Sequence, residues 1–415
     1  LTALAVIEAP NHAEETAALD ADVRSLAEAQ RGVKRAARLV TRVFAPRPLA
    51  RPLERAKRFL AASSSGDVAL ERTAEWFLDN YYLVRRIARQ VEEELPRGFV
   101  RHLPQLASGP GEGKLRIDGM AQWLVEKSDM VLDLAVLQRF VRAYQDVSPL
   151  TIAELWALPV MLRATVLEEL LRSLHELNVP VDDDRQVLRP HSLGPGAGVE
   201  RSIRALRVLD TIDWTVFFEN VNRVESILRT DPANVYARMD FETCDSYRKV
   251  VETIAWGADC TEEEVADLAV SLAREHSLDE RLGHVGYYLV AAGRGALEER
   301  VSYRPRGLEH VRRVARAWPT VSYLLPLALL TAVPLLALAW CLAETFEPGN
   351  VHLISIAISV AIAIVPASAM AMAIIQSVFA RLLPPVALPK LDFTKGLPSD
   401  TRTLVVIPTL LGRAD

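Results

Sequence analysis

Apolar positions recur at three- and four-residue intervals along most of this chain, a spacing that predicts helices. The clearest stretch is AEWFLDNYYLVRRIARQVEEELP, where Phe77, Tyr81, Val84, Ala88, Val91 and Leu95 form one continuous seam. Its opposite face carries Arg85, Arg86, Arg89, Glu92 and Glu93, a solvated surface. Pro96-Arg97-Gly98 ends this helix, because proline cannot continue the ladder and glycine tolerates the turn. Thr151 and Glu154 have capping-box spacing before ELWALPVMLRATVLEELLRSL, in which Pro159 predicts a kink. Thr261 and Glu264 repeat the box before VADLAVSLARE. The segments DMVLDLAVLQRFVRAYQDV, DWTVFFENVNRVESILR and DFETCDSYRKVVETIAW are amphipathic too. Runs of alternating β-branched residues are absent from residues 1–316, so the expected class is mainly α.

The pattern changes at residue 317. Ala317–Ala343 holds no Asp, Glu, Lys or Arg over 27 residues, and Val351–Ala380 none over 30. A bilayer core of about 30 Å needs about 20 apolar helical residues, so each window is long enough to cross. The predicted spans are 318–343 and 351–380. Trp318, Tyr323 and Trp340 fall near the ends of the first, where aromatic rings favour the headgroup layer. Pro326 and Pro334 are tolerated in a membrane helix. In the second, Ser355, Ser359, Ala363, Ala367 and Ala371 stand four apart, a stripe that lets another helix approach. The alternative, a buried hairpin of a soluble protein, needs helices longer than cores use. Arg304, Arg306, Arg312, Arg313 and Arg316 precede the first span, and Arg381, Lys390 and Lys395 follow the second. The loop ETFEPGN has only Glu344 and Glu347. The positive-inside rule then places both long ends in the cytoplasm, with the lipid bilayer as partner. His352 and Gln376 sit near span ends and read as interfacial rather than as a transport path.

Punctuation divides the rest. APRPLARP (Ala45–Pro52) separates an amino-terminal helical arm, 1–52, from a helical cytoplasmic domain, 53–316. The hairpin occupies 317–380. In the remaining 381–415, Pro384, Pro385 and Pro389 make an extended connector, and TLVVI (Thr403–Ile407) reads as a buried strand, the first of the chain. A buried parallel strand needs neighbours that eight more residues do not supply, so the chain stops as an α/β domain begins.

Charge and composition narrow the function. Residues 1–316 carry the whole net charge of −5, so no overall basic field holds nucleic acid. Cys244, Cys260 and Cys341 form no CxxC or disulfide framework, as expected of a reducing compartment. The amino terminus has no basic n-region and no long apolar run, so it is no secretory signal, and it begins with Leu, as a library fragment or truncated gene model does. Asp182-Asp183-Asp184 has the composition of a cation site, but one acidic cluster reads first as a solvated loop. Gly194-Pro195-Gly196-Ala197-Gly198 lacks the strand and GK[ST] of a phosphate cradle and reads as a flexible loop. The eight histidines, His276 and His284 among them, show no metal-ligand spacing. No nucleophile has an identifiable base.

Beginning at AEWFLDNYYLVRRIARQVEEELPRGFVRHLPQL, the chain resembles the cyclic β-1,2-glucan synthase family of bacterial membrane glucosyltransferases. The resemblance continues, in order, through LTIAELWALPVMLRATVLEELLRSL, DPANVYARMDFETCDSYRKVVE, GHVGYYLVAAGRGALE and LPKLDFTKGLPSDTRTLVVIPTLL. It runs from Ala74 to the end. It implies a larger parent of the bacterial inner membrane, in which a UDP-glucose-dependent transferase domain of GT-A type follows the hairpin. That domain would use Mg²⁺ or Mn²⁺, and UDP-glucose and β-1,2-glucan would be partners through the parent. Its acidic motif and base would lie beyond Asp415, so the chain alone is expected to be inactive and to hold no cofactor. The resemblance places Pro408 and Thr409, at the end of the entry strand, beside the nucleotide; a strand end without a ligand is the other reading. Two roles stand open for the chain itself. One is a membrane-anchoring and regulatory portion of the synthase. The other is a non-catalytic helical scaffold or glucan-interaction module, on which sugar rings would stack against Trp76, Tyr81, Tyr82, Trp214, Tyr287 or Tyr288. Core packing competes for each ring, and solvent exposure separates the two roles.

Overall fold

A computed structural model describes residues 10–35, 49–62, 68–94, 100, 103–109, 111–181, 195–258, 260–279, 281–305, 307–345, 350–383, 385, 388–394 and 396. Two compact units divide it, one up to Ile227 and one from Leu228 onward. The first contains α1 (Pro10–Ala29), β1 (Val33–Arg35), α2 (Ala50–Ala62), α3 (Val68–Asp79), α4 (Tyr81–Glu94) and β2 (Pro104–Leu106). It continues with α5 (Arg116–Lys127), α6 (Leu134–Gln145), α7 (Ile152–Glu176), α8 (Pro195–Thr211) and α9 (Trp214–Val221). Helix α10 (Arg223–Leu228) ends at the division.

The first unit is organised by α7, which is apolar on nearly every side. Leu155, Leu158, Leu162, Val166, Leu170 and Leu174 are all buried. A helix apolar all round belongs inside a protein, and α4, α5 and α8 pack against it. Thr151 and Glu154 form the predicted capping box, and the helix is unbroken through Pro159. Below its start lies an enclosed ion pair. Arg116 and Glu154 are 2% and 0% exposed and meet at 2.5 Å. Arg116 also donates to Ser148 Oγ and to the carbonyl of Pro149, each at 2.9 Å.

The seam of Phe77, Tyr81, Val84, Ala88 and Val91 is buried as the spacing predicts. It runs on two helices rather than one, with the break at Asn80 between α3 and α4. The Asn80 side chain donates to the Trp76 carbonyl at 2.7 Å, a local bond that competes with the helix ladder. The segment DWTVFFENVNRVESILR also divides, at Asn222, whose Oδ1 accepts from Glu225 N. The GPGAG loop expectation is corrected in part: Gly196 and Gly198 lie in the first turn of α8. A Cβ at Gly198 would overlap the Ser173 side chain, so this glycine sets how closely α8 approaches α7.

The strands β1 and β2 pair antiparallel, Val33 opposite Leu106 and Arg35 opposite Pro104. This corrects the reading of TLVVI as the first strand, since two strands come earlier in the chain. Residues 403–407 lie outside the described residues. Within the expected Pro-rich linker, α2 already begins at Ala50, with Pro52 in its first turn, where a missing N–H costs little.

The second unit holds α11 (Phe241–Gly257), α12 (Glu262–Glu275), α13 (Val285–Val290), α14 (Arg294–Arg300) and α15 (Leu308–Ala317). Two long helices follow, α16 (Pro319–Thr345) and α17 (Asn350–Leu382). The second capping box is present at Thr261 and Glu264, and Asp240 caps α11. Helices α11, α12 and α13 pack around Val251, Ile254, Val265, Ala269 and Leu289.

Candidate functional site

Helices α16 and α17 lie side by side. Their apolar surfaces are not buried by protein: none of the most hydropathic window of α16 is buried, and 11% of that of α17. Leu336, Trp340, Ile362 and Val365 are 69, 69, 70 and 69% exposed. Burying such a side chain is worth about 1.5–3 kcal/mol, so the pair is far more stable in lipid than in water. Among the described residues neither helix is buried as the core helix of a soluble protein is. The two helices have the length and composition of a transmembrane hairpin, which supports association with a membrane.

The protein-facing side of the pair is the predicted small-residue stripe. Ser359, Ala363 and Ala367 are partly covered, Ala371 is buried, and Ser355 is exposed. Tyr323 and Phe379 meet edge to face near the base, centroids 5.7 Å apart. Pro326, Pro334 and Pro366 all sit inside continuous helices. Trp318 and Trp340 are exposed near the two ends of α16, as interfacial rings are. Gln376 is exposed, and the side chain of His352 lies outside the described residues.

The base of the hairpin is tied to the second unit at both ends. Before the first span, Arg313 grips Glu298 of α14 with two bonds of 2.7 and 2.6 Å. Arg294 adds a third at 2.7 Å. Burial pushes the Glu298 carboxyl up, but the two guanidiniums outweigh it and hold the group below the usual carboxylate range. Arg312 donates to the Leu382 carbonyl at 2.8 Å, joining α15 to the end of the second span. After that span the connector returns to α11. Asp392 N donates to Arg238 O at 2.8 Å, and Asp240 N to Lys390 O at 3.1 Å. Lys390 N reaches Thr243 Oγ1 at 3.0 Å, and Leu391 bridges Met239 antiparallel. The loop that receives the connector is itself held by Asp231. This carboxylate accepts from Val235 N, Tyr236 N and Val285 N and meets His284 Nδ1 at 2.9 Å. Burial raises the Asp231 carboxyl, while His284 and the amides of Val285 and Tyr236 together bring it below its ordinary value. Sequence reading missed the Asp231–His284 pair, because 53 residues separate the partners.

The rings proposed for glucan stacking separate clearly. Tyr81 and Tyr288 are buried, and Trp76, Trp214 and Tyr287 are half-buried. Tyr81 donates to Glu54 at 2.5 Å and belongs to the α4 seam. Of the six, Tyr82 alone is exposed, at 79%. It borders an open groove of about 410 Å³ lined by Arg85, Arg86, Arg89, Gln90 and Glu93. Pro408 and Thr409 lie outside the described residues, as do Asp182, Asp183 and Asp184. Among the described residues no three His, Cys, Asp or Glu side chains gather closely enough to hold a cation, and none is assigned to Mg²⁺ or Mn²⁺.

No family model matches the chain. Among curated proteins, it is similar to the cyclic beta-(1,2)-glucan synthase NdvB of Rhizobium meliloti (strain 1021), with 26% identity over 438 aligned positions. The alignment takes in 87% of this chain and 15% of that protein. The chain therefore spans less than a sixth of the curated relative it matches, to which its similarity is distant.

Proposed function

We propose that this chain is the amino-terminal, membrane-anchoring and regulatory portion of a cyclic β-1,2-glucan synthase. The observation that carries the reading is the breadth of the similarity to NdvB. It takes in 87% of the chain, whereas the two apolar spans make up about a seventh, so shared apolar composition does not account for it. The ordered segments from Ala74 onward support the same family.

In this reading the hairpin crosses the bacterial inner membrane, with the arginine-rich flank before it and the connector after it in the cytoplasm. The positive-inside bias supports that orientation. The pairing of residues 390–392 with residues 238–240 would bring the following chain back beside the helical unit. A transferase domain continuing from the connector would then be held at the inner leaflet, where UDP-glucose is available. Inverting glucosyl transfer needs a base for the acceptor hydroxyl and a cation such as Mg²⁺ or Mn²⁺ for the leaving diphosphate. The parent's transferase domain would supply both, with Pro408 and Thr409 bordering the nucleotide. The test has two parts. The coding sequence is expected to continue in frame beyond Asp415 with an acidic DxD-type motif, and membranes carrying the whole product to convert UDP-glucose into β-1,2-glucan. The solubilised 415-residue chain with UDP-glucose and Mg²⁺ or Mn²⁺ is expected to make none. Glucan from the chain alone, or a stop codon directly after Asp415, would overturn the proposal.

A second reading, a glucan-contact surface, draws support from the exposed Tyr82 ring beside polar Arg, Gln and Glu side chains, which suit sugar hydroxyls. Tyr82→Ala would then weaken binding of β-1,2-glucan to the chain in calorimetry, and an unchanged affinity would remove this reading.

A further inference from the structure

Helix α15 is amphipathic, and its large apolar side chains are bare, while Ala315 at the edge of the same side is buried. Arg312 and Arg313 are engaged by protein, the first on the Leu382 carbonyl and the second on Glu298 and Glu309. Leu308, Val311 and Val314 are 56, 50 and 48% exposed. Trp318 and Val321 extend the series at 66 and 53%. The spacings within α15 are three and three, so Leu308, Val311 and Val314 lie along one side of the helix, and Trp318 and Val321 follow beyond its end. At 100° per residue, Arg316 and Glu309 fall on the opposite side. A protein surface facing water normally shows the reverse, with charges outward and valines covered, and a bare apolar patch of this kind marks an interaction surface.

The occupant is indicated by what the stripe joins. Trp318 leaves helical geometry (φ −125°, ψ 62°) and Pro319 opens α16, so two separate helices meet there, with exposed apolar side chains on both sides of the break. Arg312 ties α15 to the last residue of α17, which puts α15 at the level where both long helices end. We propose that α15 is an interfacial helix that lies in the membrane surface. Its Leu308–Val311–Val314 stripe enters the boundary between headgroups and acyl chains, and Arg316 remains among the headgroups. Amphipathic helices with Trp and Arg partition in this way, and the Trp318 ring sits where aromatic residues favour the interface. The ligand is a lipid surface. The inference rests on the reading that α16 and α17 cross the bilayer.

The test places a single environment-sensitive NBD label on the full chain in vesicles of phosphatidylethanolamine and phosphatidylglycerol. The background has Cys244, Cys260 and Cys341 replaced by Ala, with helicity checked by circular dichroism. Label positions are Val311→Cys, Val314→Cys, Arg316→Cys and Leu336→Cys. Quenching of Val311→Cys and Val314→Cys by a shallow spin-labelled lipid, at least threefold above Arg316→Cys, supports the proposal. If Leu336→Cys is quenched by a deep spin label while positions 311 and 314 behave like 316, this proposal fails and the crossing hairpin stands. If positions 311 and 314 are quenched as deeply as 336, α15 belongs to the span and the proposal also fails. If Leu336→Cys is not quenched by the deep label, both readings fall. A second measurement avoids the cysteine replacements: a lipid-soluble photoactivated diazirine on the unsubstituted chain is expected to tag Val311 and Val314 several-fold more than Arg316. Equal tagging contradicts the proposal.

Discussion

Replacing Arg116 with Met tests how α7 is held. The guanidinium is 2% exposed and Glu154 is fully buried. Arg116 makes four bonds: two to Glu154 at 2.7 and 2.5 Å, one to Ser148 and one to Pro149 O. Removing one partner of a buried pair costs about 3–5 kcal/mol, because the other charge is left uncompensated. Glu154 keeps its bonds from Thr151 N and Oγ1, both 3.0 Å, so the loss should fall near the low end, about 3 kcal/mol. Hydrogen exchange read by mass spectrometry on α7 peptides, corrected for intrinsic rates, follows this directly. Adding Glu154→Gln should recover much of the loss, since glutamine still serves a capping box but carries no charge. A penalty below about 1 kcal/mol, or no recovery in the double variant, would refute the reasoning.

Three further outcomes are expected. Burial raises the Asp118 carboxyl to about 6, with Glu168 adding to it, so its ionised form is disfavoured in the fold. Asp118 should therefore take stability from α5 as pH rises from about 4 to 6, and Asp118→Asn should gain about 1 kcal/mol at pH 7.5 and nothing at pH 4, by hydrogen exchange of α5; the figure is discounted because the side chain is partly solvent-accessible. Gly198→Ala should cost about 1–3 kcal/mol by forcing α8 away from Ser173, read as faster exchange in both helices. Ala371→Leu should part the two long helices, and a label pair reporting on the Tyr323–Phe379 contact should show a longer distance than in the unsubstituted chain.

Much of this architecture is written locally. Both capping boxes, the α4 seam and the two apolar helices depend on residues within a few turns of each other, where spacing carries the information. Interruptions at Asn80 and Asn222 also have local causes, but a single polar side chain bonding a nearby backbone group leaves no mark on apolar periodicity. Contacts between distant segments were not legible. The strands β1 and β2 are three residues each, too short to show alternation. Asp231 meets His284, and Lys390 meets Thr243, across loops whose closure no spacing rule predicts. The aromatic candidates show the same limit from another side. Tyr81 and Tyr82 are adjacent in sequence, and only their place on the helix decides that one packs and the other faces solvent.

The central claim is a hairpin that crosses the membrane and returns, with both flanks on one side. Single cysteines at Ser302, Pro348 and Thr394, in a chain without its native cysteines, test it with a membrane-impermeant maleimide. In right-side-out vesicles of the inner membrane, the cysteine at Pro348 should label and those at Ser302 and Thr394 should not; in inverted vesicles the pattern should reverse. Labelling of Ser302→Cys and Thr394→Cys from opposite sides, or of all three from both, would contradict the account.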